Sequence, residues 1–535
     1  MPTLPASLPV LTVMAVTPLA GALLLWLVPP LRRLHARAVG LVFSLAVLAL
    51  GLWALSAFDL AQASTVQLTD THSWIPAIGA SWALGVNGLG LSMVLLGAFV
   101  TPLVLLASWG EVPADRQGLF TGLVLTLEFF VVVIFSARDL LLFYLCFEAM
   151  LIPVYFLIGC FGGQGRQRAA LKFLLYSLAG GLVMLVGVVA LFFYGPRTET
   201  GYLIGSLAGS LSAPPAAARW IFASFMIAFA IKAPLVPLHT WLPDAAEQAT
   251  PGTSVLLIGV LDKIGTYGMI ALVLPLFPEA AAWAAPVVLV LAVVGIIYGG
   301  LAAIGQDSLY RLISYTSISH FGFMVLGIFI GDRIAAIGAM VYMVAHGLSI
   351  AGLYLVTGFL ARRTGTVAIG ELGGIGRVMP LVAGTFLVSG LASIALPGLS
   401  GFVPEWMVLT GTFSRSVVLG VVAVAGVVIA AVYVLLPYQR VFTGAPDAER
   451  VGSADLDGRE RLVLVPIIAA MLLLGLAPGA LTDALDGVAE QVATTMSADS
   501  GRPAALSDPA AATGPLAPAD PPSPSAPTVT EGISK

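Results

Sequence analysis

Five side chains stand where a membrane protein has most reason to exclude them. Glu148 lies about nine residues past Asp139, Lys232 about thirteen past Arg219, and Lys263 about eleven past Gly252. His320 lies about ten residues past Tyr310 and His346 about twelve past Ile334. Half of a hydrocarbon core of about 30 Å is about ten helical residues, so all five fall near the midplane of their runs. An ionisable group facing lipid there costs roughly 2.5 to 3.5 kcal/mol, so the five must face one another or water. Lys, Glu and His are the residues whose protonation burial and neighbours can bring toward the working pH, and a proton path across a bilayer needs such carriers in one layer. A static reading also exists: one buried Glu and one Lys can simply glue helices together, and a lone histidine can be a packing residue. Five groups at one depth favour conduction. Glu128, well inside its run, and Asp262, next to Lys263 but about 100° round the helix, add two carboxylates whose roles the sequence leaves open.

The elements that must hold these groups are membrane helices. Of 535 residues, 59% are hydrophobic and 10% charged, and the mean hydropathy is +1.00, so the bilayer is the solvent of this chain. Apolar runs of bilayer length begin near Leu8, Ala36, Val86, Gln117, Asp139, Leu171, Arg219, Gly252, Pro286, Tyr310, Ile334, Pro380, Val417 and Arg461, which predicts an all-α polytopic protein of about fourteen spans. An even count puts both termini on one side. Of the 24 basic residues, fifteen fall on one set of loops and helix ends, among them Arg32, Arg33, Arg37, Arg116, Arg362 and Arg363. Seven fall on the other set, while Lys232 and Lys263 lie inside spans. The positive-inside rule makes the first set cytoplasmic and turns both termini outward.

Other function classes drop out. A net charge of −4 without a basic patch excludes nucleic acid as a partner. Cys146 and Cys160 are too far apart along a helix to pair, and their spacing fits neither an iron–sulfur centre nor structural zinc, so no metal or cofactor is expected on this chain. Met1–Pro9 carries no positive charge ahead of the first apolar run, unlike a cleaved signal peptide. From about Ser497 the composition turns to Pro, Ala, Ser and Thr, which predicts a disordered tail over 497–535.

Two spans are interrupted in matching places. Pro234 and Pro237 follow Lys232 and remove backbone hydrogen bonds beside its charge. Pro397, Gly398, Gly401 and Pro404 break a second run just before Glu405. Irregular backbone at membrane depth is tolerated where it lines a polar cavity, and a matched pair of broken helices points to inverted repeats. The chain then divides into three leading helices (1–116), a first five-helix repeat (117–278), a second, inverted five-helix repeat (285–441), a last membrane helix (460–480) and the tail. The fourth span of each repeat is the broken one.

These blocks resemble a known family, the antiporter-like membrane subunits shared by NADH:quinone oxidoreductase (complex I) and the multisubunit sodium/proton antiporters. The resemblance rests on Phe-Glu-Ala-Met-Leu-Ile-Pro around Glu148, on Lys-Ala-Pro-Leu-Val-Pro-Leu-His-Thr-Trp-Leu-Pro-Asp-Ala from Lys232 through His239, and on Gly-Val-Leu-Asp-Lys-Ile-Gly at Asp262 and Lys263. Tyr-Thr-Ser-Ile-Ser-His at His320 and Leu-Pro-Gly-Leu-Ser-Gly-Phe-Val-Pro-Glu at Glu405 complete it. It implies a midplane proton path in which Glu148 and Lys232 are a charge-coupled pair, Lys263 the connecting lysine, His320 and His346 its continuation and Glu405 its terminal group. Glu128, His239 and Asp262 are secondary candidates. Sister subunits and many antiporters place lysine where this chain has Glu405, and the M-type subunits, counterparts of mitochondrial subunit 4, resemble it in having glutamate. Where the family often has histidine after Pro-Asp-Ala, this chain has Ala246, which weakens a relay through that loop.

The resemblance further implies a bacterial plasma membrane, membrane lipid and other complex I subunits as partners, the antiporter-like subunits L and N above all, and NADH, FMN, iron–sulfur clusters and quinone on partner subunits. A subunit of a sodium/proton antiporter or a membrane-bound hydrogenase is the alternative within the family; a stand-alone carrier of an organic solute lies outside it. A redox enzyme in its own right is excluded by the absence of a nucleotide-binding glycine fingerprint and of a cysteine cluster.

Overall fold

Most helices begin within a few residues of the apolar runs, but the helix expected from Pro286 begins at Pro278 and the one expected from Leu171 at Arg166. The computed structural model describes residues 9–445 and 454–497, so the expected disordered tail lies outside the described residues apart from Ser497. The main helices are α1 (Val10–Leu27), α2 (Ala36–Ala57), α3 (Gly88–Ala107), α4 (Gln117–Ser136), α5 (Leu140–Phe161), α6 (Arg166–Tyr194), α7 (Pro215–Lys232), α8 (Trp241–Gln248), α9 (Pro251–Leu276), α10 (Pro278–Ile304), α11 (Leu309–Phe329) and α12 (Arg333–Thr364). They continue as α13 (Pro380–Ser393), α14 (Phe402–Arg415), α15 (Val417–Phe442), α16 (Gly458–Leu476) and α17 (Gly479–Ser497). Among the described residues twelve helices are long and apolar enough to cross a bilayer; α16 and α17, bent by 66° at their junction, make a thirteenth if taken as one span.

Local chemistry sets the ends. Asp139 accepts from the Leu142 N–H at 2.9 Å to start α5, and Asp332 caps α12 through Ala335. Asp457 and Glu460 form a reciprocal capping box at α16. The helix α5 yields at Met150, where Pro153 cannot donate to the carbonyl one turn back. In α9 two stretches, Val255–Leu261 and Met269–Val273, widen to π-helical turns on either side of Lys263, an irregularity frequent at functional sites and invisible in the apolar pattern.

The chain is mostly helical, but an all-helical reading misses an antiparallel hairpin of β1 (Gln67–Ile75) and β2 (Ala80–Val86) between α2 and α3. Its first strand, Gln-Leu-Thr-Asp-Thr-His-Ser-Trp-Ile, is too polar to register in a search for membrane spans, and its β-branched and aromatic residues suit a strand. The core runs through α9, α11 and α12, whose membrane windows are 94%, 94% and 89% buried. Those three helices carry Asp262, Lys263, His320 and His346. Close helix contact positions His320: Gly299 of α10 lies against the Ser319 backbone, and Gly322 against the Ala292 carbonyl.

Candidate functional site

The first broken helix ends on its lysine. The helix α7 stops at Lys232, the chain turns through residues 233–240, and α8 resumes at Trp241, whose indole N–H donates to the Ile231 carbonyl at 3.0 Å and ties the two halves together. Lys232 is 1% exposed and its Nζ has no hydrogen-bond partner. Its Nζ lies over the ring of Phe173, 5.3 Å from the centroid. A cation–π contact is worth about 0.5 to 2 kcal/mol, less than the several kcal/mol of burying an ion, so the charge on Lys232 depends on carboxylates. Two are within electrostatic reach, Asp262 and Glu148. The Glu148 carboxyl lies over Gly181 of α6, in the space a side chain there would fill, and its Oε1 is enclosed without a partner.

Asp262, whose role the sequence left open, lies within electrostatic reach of both Lys232 and Lys263, with both oxygens enclosed and unbonded. Lys263 is fully buried and held from two sides: its Nζ donates to the Ile258 carbonyl at 2.6 Å and meets His346 Nδ1 at 2.7 Å. The residues of that second contact are 83 positions apart, so it joins α9 to α12. The Phe321 ring lies 5.2 Å from the same nitrogen.

Beyond His346 the contacts are aromatic and hydroxylic. The rings of His346 and His320 have centroids 5.1 Å apart, and His320 Nε2 lies 3.0 Å from the Tyr433 hydroxyl. The Tyr342 ring is 5.6 Å from His320, and its hydroxyl donates to Glu405 Oε2 at 2.8 Å. Glu405, 3% exposed, stands in the first turn of α14, after a break in which Ala395 and Gly398 have φ of 58° and 89°. From Lys263 to Glu405 neighbouring groups touch; between Glu148, Lys232, Asp262 and Lys263 the link is electrostatic.

The secondary candidates fall differently. Glu128 is 2% exposed in α4, with neither a hydrogen bond nor, among the described residues, a charged group acting on it. His239, in the break after Lys232, lies 3.3 Å from the Tyr298 hydroxyl and within reach of the Lys172 charge. Sequence reasoning missed Tyr342 and Tyr433. Tyr342 precedes His346 by four residues and so shares its helix face, a usable signal; Tyr433 gave none. It also missed an ionic cluster that fastens α8: Lys172 bonds Asp244 at 2.6 Å and the Thr240 carbonyl at 2.7 Å, while Arg311 bonds Asp244 at 2.9 Å and Glu247 at 3.1 Å. Among the described residues no three His, Cys, Asp or Glu side chains gather as a metal site requires.

Residues 137–430, the stretch that holds nearly all of these groups, match the family model described as NADH:quinone oxidoreductase/Mrp antiporter, TM. The chain is 43% identical to NADH-quinone oxidoreductase subunit M of Mycobacterium tuberculosis, over 93% of this chain and 96% of that protein. It is 38% identical to NAD(P)H-quinone oxidoreductase chain 4 of a Synechococcus strain, over 92% and 94% of the two chains. Among solved structures it superposes on a chain of respiratory complex I from Thermus thermophilus with bound NADH, at a TM-score of 0.82 and 32% identity, covering 91% of this chain and 99% of that one. The chain belongs to the subunit M/chain 4 family of NADH-quinone oxidoreductase membrane subunits.

Proposed function

We propose that this chain is a proton-translocating membrane-arm subunit of a respiratory NADH:quinone oxidoreductase, conducting protons along Glu148, Lys232, Asp262, Lys263, His346, His320 and Glu405 while quinone is reduced elsewhere in the complex. The observation that carries the reading is the 2.7 Å contact between Lys263 and His346, which joins two sets of titratable groups on opposite sides of one deeply buried layer. Residues 117–278 and 285–441 act as two inverted repeats, each with one broken helix, and the count of spans is fourteen. Loops rich in arginine face the cytoplasm, both termini face outward, the membrane is the bacterial plasma membrane, and the antiporter-like subunits L and N are the neighbours. NADH, FMN, iron–sulfur clusters and quinone belong to partner subunits.

The step is electrostatic. With Glu148 ionised, Lys232 keeps its proton; when that charge is withdrawn or neutralised, the proton passes through the Asp262 field toward Lys263. A unit charge at 4 Å is worth about 4 kcal/mol at an effective dielectric near 20, enough to switch the occupancy of a buried site. Glu405 closes the far end, bonded through Tyr342.

The test is proton pumping per electron in membrane vesicles carrying Glu148→Ala, with quinone reduction and complex assembly measured on the same preparation. Lost pumping with assembly intact supports the path. Normal pumping makes Glu148 structural and removes the reading.

A further inference from the structure

One more acid stands at a boundary. Glu111, in the loop after α3, is half-buried: residues 113–116 beside it are exposed, while its own Oε2 is enclosed and makes no hydrogen bond. It lies at the arginine-rich end of the helices. The neighbouring Gly110 sits beside the guanidinium groups of Arg362 in α12 and Arg459 in α16, and both charges act on Glu111, as does that of Glu460. Burial raises this carboxyl to about 7 against the pull of Arg362 and Arg459, so near neutral pH it can both take a proton and give it up.

Behind Glu111 lies a file of buried hydroxyls. Tyr310, in the first turn of α11 and 9% exposed, is within electrostatic reach of Glu111, and its hydroxyl lies beside Gly358 of α12. One turn back along α12 is the fully buried Tyr354. Its ring stacks on that of Tyr310 with centroids 5.7 Å apart, and its hydroxyl donates to the Tyr310 carbonyl at 3.0 Å. Tyr354 is in turn within electrostatic reach of Asp262, whose two oxygens are enclosed and unbonded. Two more hydroxyls flank the file. Thr357 shares the Tyr354 face of α12, and Ser108 faces Gly252 at the start of α9, where Pro251 packs on Gly358. Both are fully buried, and neither hydroxyl has a protein partner. Buried polar atoms of this kind are where internal water is held. Tyrosines that merely pack two helices would need no acid at the mouth of the file, and an unbonded buried carboxyl oxygen costs about 1 to 3 kcal/mol.

We propose that Glu111 is an entry carboxyl through which protons from the arginine-rich side reach Asp262, passing along the hydroxyls of Tyr310 and Tyr354 and the water between them. Glu111 takes a proton from bulk water, each hydroxyl gives one proton as it receives one, and the Asp262 carboxylate ends with it. The inference rests on the midplane path proposed above, which this branch supplies.

The experiment measures proton pumping, quinone reduction and complex assembly in inverted membrane vesicles carrying the natural chain, Glu111→Gln, Glu111→Asp, Tyr354→Phe or Glu148→Ala. Without the carboxyl, delivery draws on free hydronium, so pumping in Glu111→Gln should fall about tenfold per pH unit above about pH 7, more steeply than in the natural chain. Glu111→Asp should restore the natural profile, which a purely structural role would not require. Tyr354→Phe removes one oxygen from the core and should slow pumping about tenfold with assembly intact, so it decides the matter if Glu111→Gln fails to assemble. A natural pH profile in assembled Glu111→Gln, or natural pumping in Tyr354→Phe, would overturn the branch, and lost pumping in Glu148→Ala on the same preparation would leave the path itself standing. Normal pumping in Glu148→Ala would remove path and branch together.

Discussion

Replacing His346 with leucine removes the acceptor at 2.7 Å from Lys263 while keeping a buried apolar side chain of similar reach. The remaining bond of Lys263, to the Ile258 carbonyl, stays. A hydrogen bond to a charged group is worth about 1.5 to 3 kcal/mol, so handing a proton from α9 to α12 should slow roughly 10- to 150-fold. The assay is pumping per electron in vesicles, with quinone reduction and the amount of assembled complex recorded alongside. His346→Asn separates two roles, because its amide oxygen can accept from Lys263 where Nδ1 does but cannot take up and release a proton. If His346 relays protons, both variants lose pumping; if it only positions Lys263, the asparagine restores it. Pumping within twofold of normal in His346→Leu, with the complex assembled, would refute the reasoning that this contact carries the proton.

Gly181→Val should mimic Glu148→Ala, because the new side chain takes the space of the Glu148 carboxyl; as that carboxyl ends a flexible side chain the fold should survive, and assembly on a native gel with pumping on the same vesicles checks both. Glu460→Gln should destabilise the α12–α16 contact by about 3 to 5 kcal/mol, since Glu460, 3% exposed, receives Arg362 at 2.8 Å and Arg363 at 2.5 Å and its loss leaves two guanidinium groups short of their counter-ion; the readout is a thermal unfolding midpoint. Burial pushes the Glu111 carboxyl, in the loop after α3, up to about 7 against the opposing pull of the Arg362 charge. A raised acid favours the folded state fully below its unfolded value near 4.5 and loses that advantage as pH climbs to about 7, so stability should fall over that window, and Glu111→Gln should flatten the fall.

Much of this architecture was legible in residue types. The apolar runs located the helices because hydrocarbon thickness fixes their length, and Pro234 with Pro237 announced the break after Lys232 because proline withholds a donor. Depth counting found Lys263 and His346 separately. It could not find their bond, which depends on how α9 and α12 pack across 83 residues of sequence. Nor could it find the widened turns flanking Lys263, since Val255–Leu261 is simply apolar in either helix type. The β1–β2 hairpin escaped for the opposite reason: it lies outside the apolar runs, and the search was for bilayer-length stretches. Asp262 was visible, but a position 100° from Lys263 on an ideal helix said nothing of a field shared with Lys232.

The grip of the Ile258 carbonyl on Lys263 has one more consequence. A carbonyl oxygen accepts from an amine whether or not that amine is charged, so this bond survives when the proton leaves. The bond to the carbonyl weakens when the amine loses its charge but keeps its direction, whereas the contact to the imidazole must exchange donor and acceptor if the proton crosses it. On the proposed path, a proton would then come and go with the heavy atoms in place, and refilling the site would need no search for the right rotamer. On that path, the widened helix would give the proton a fixed berth at Lys263.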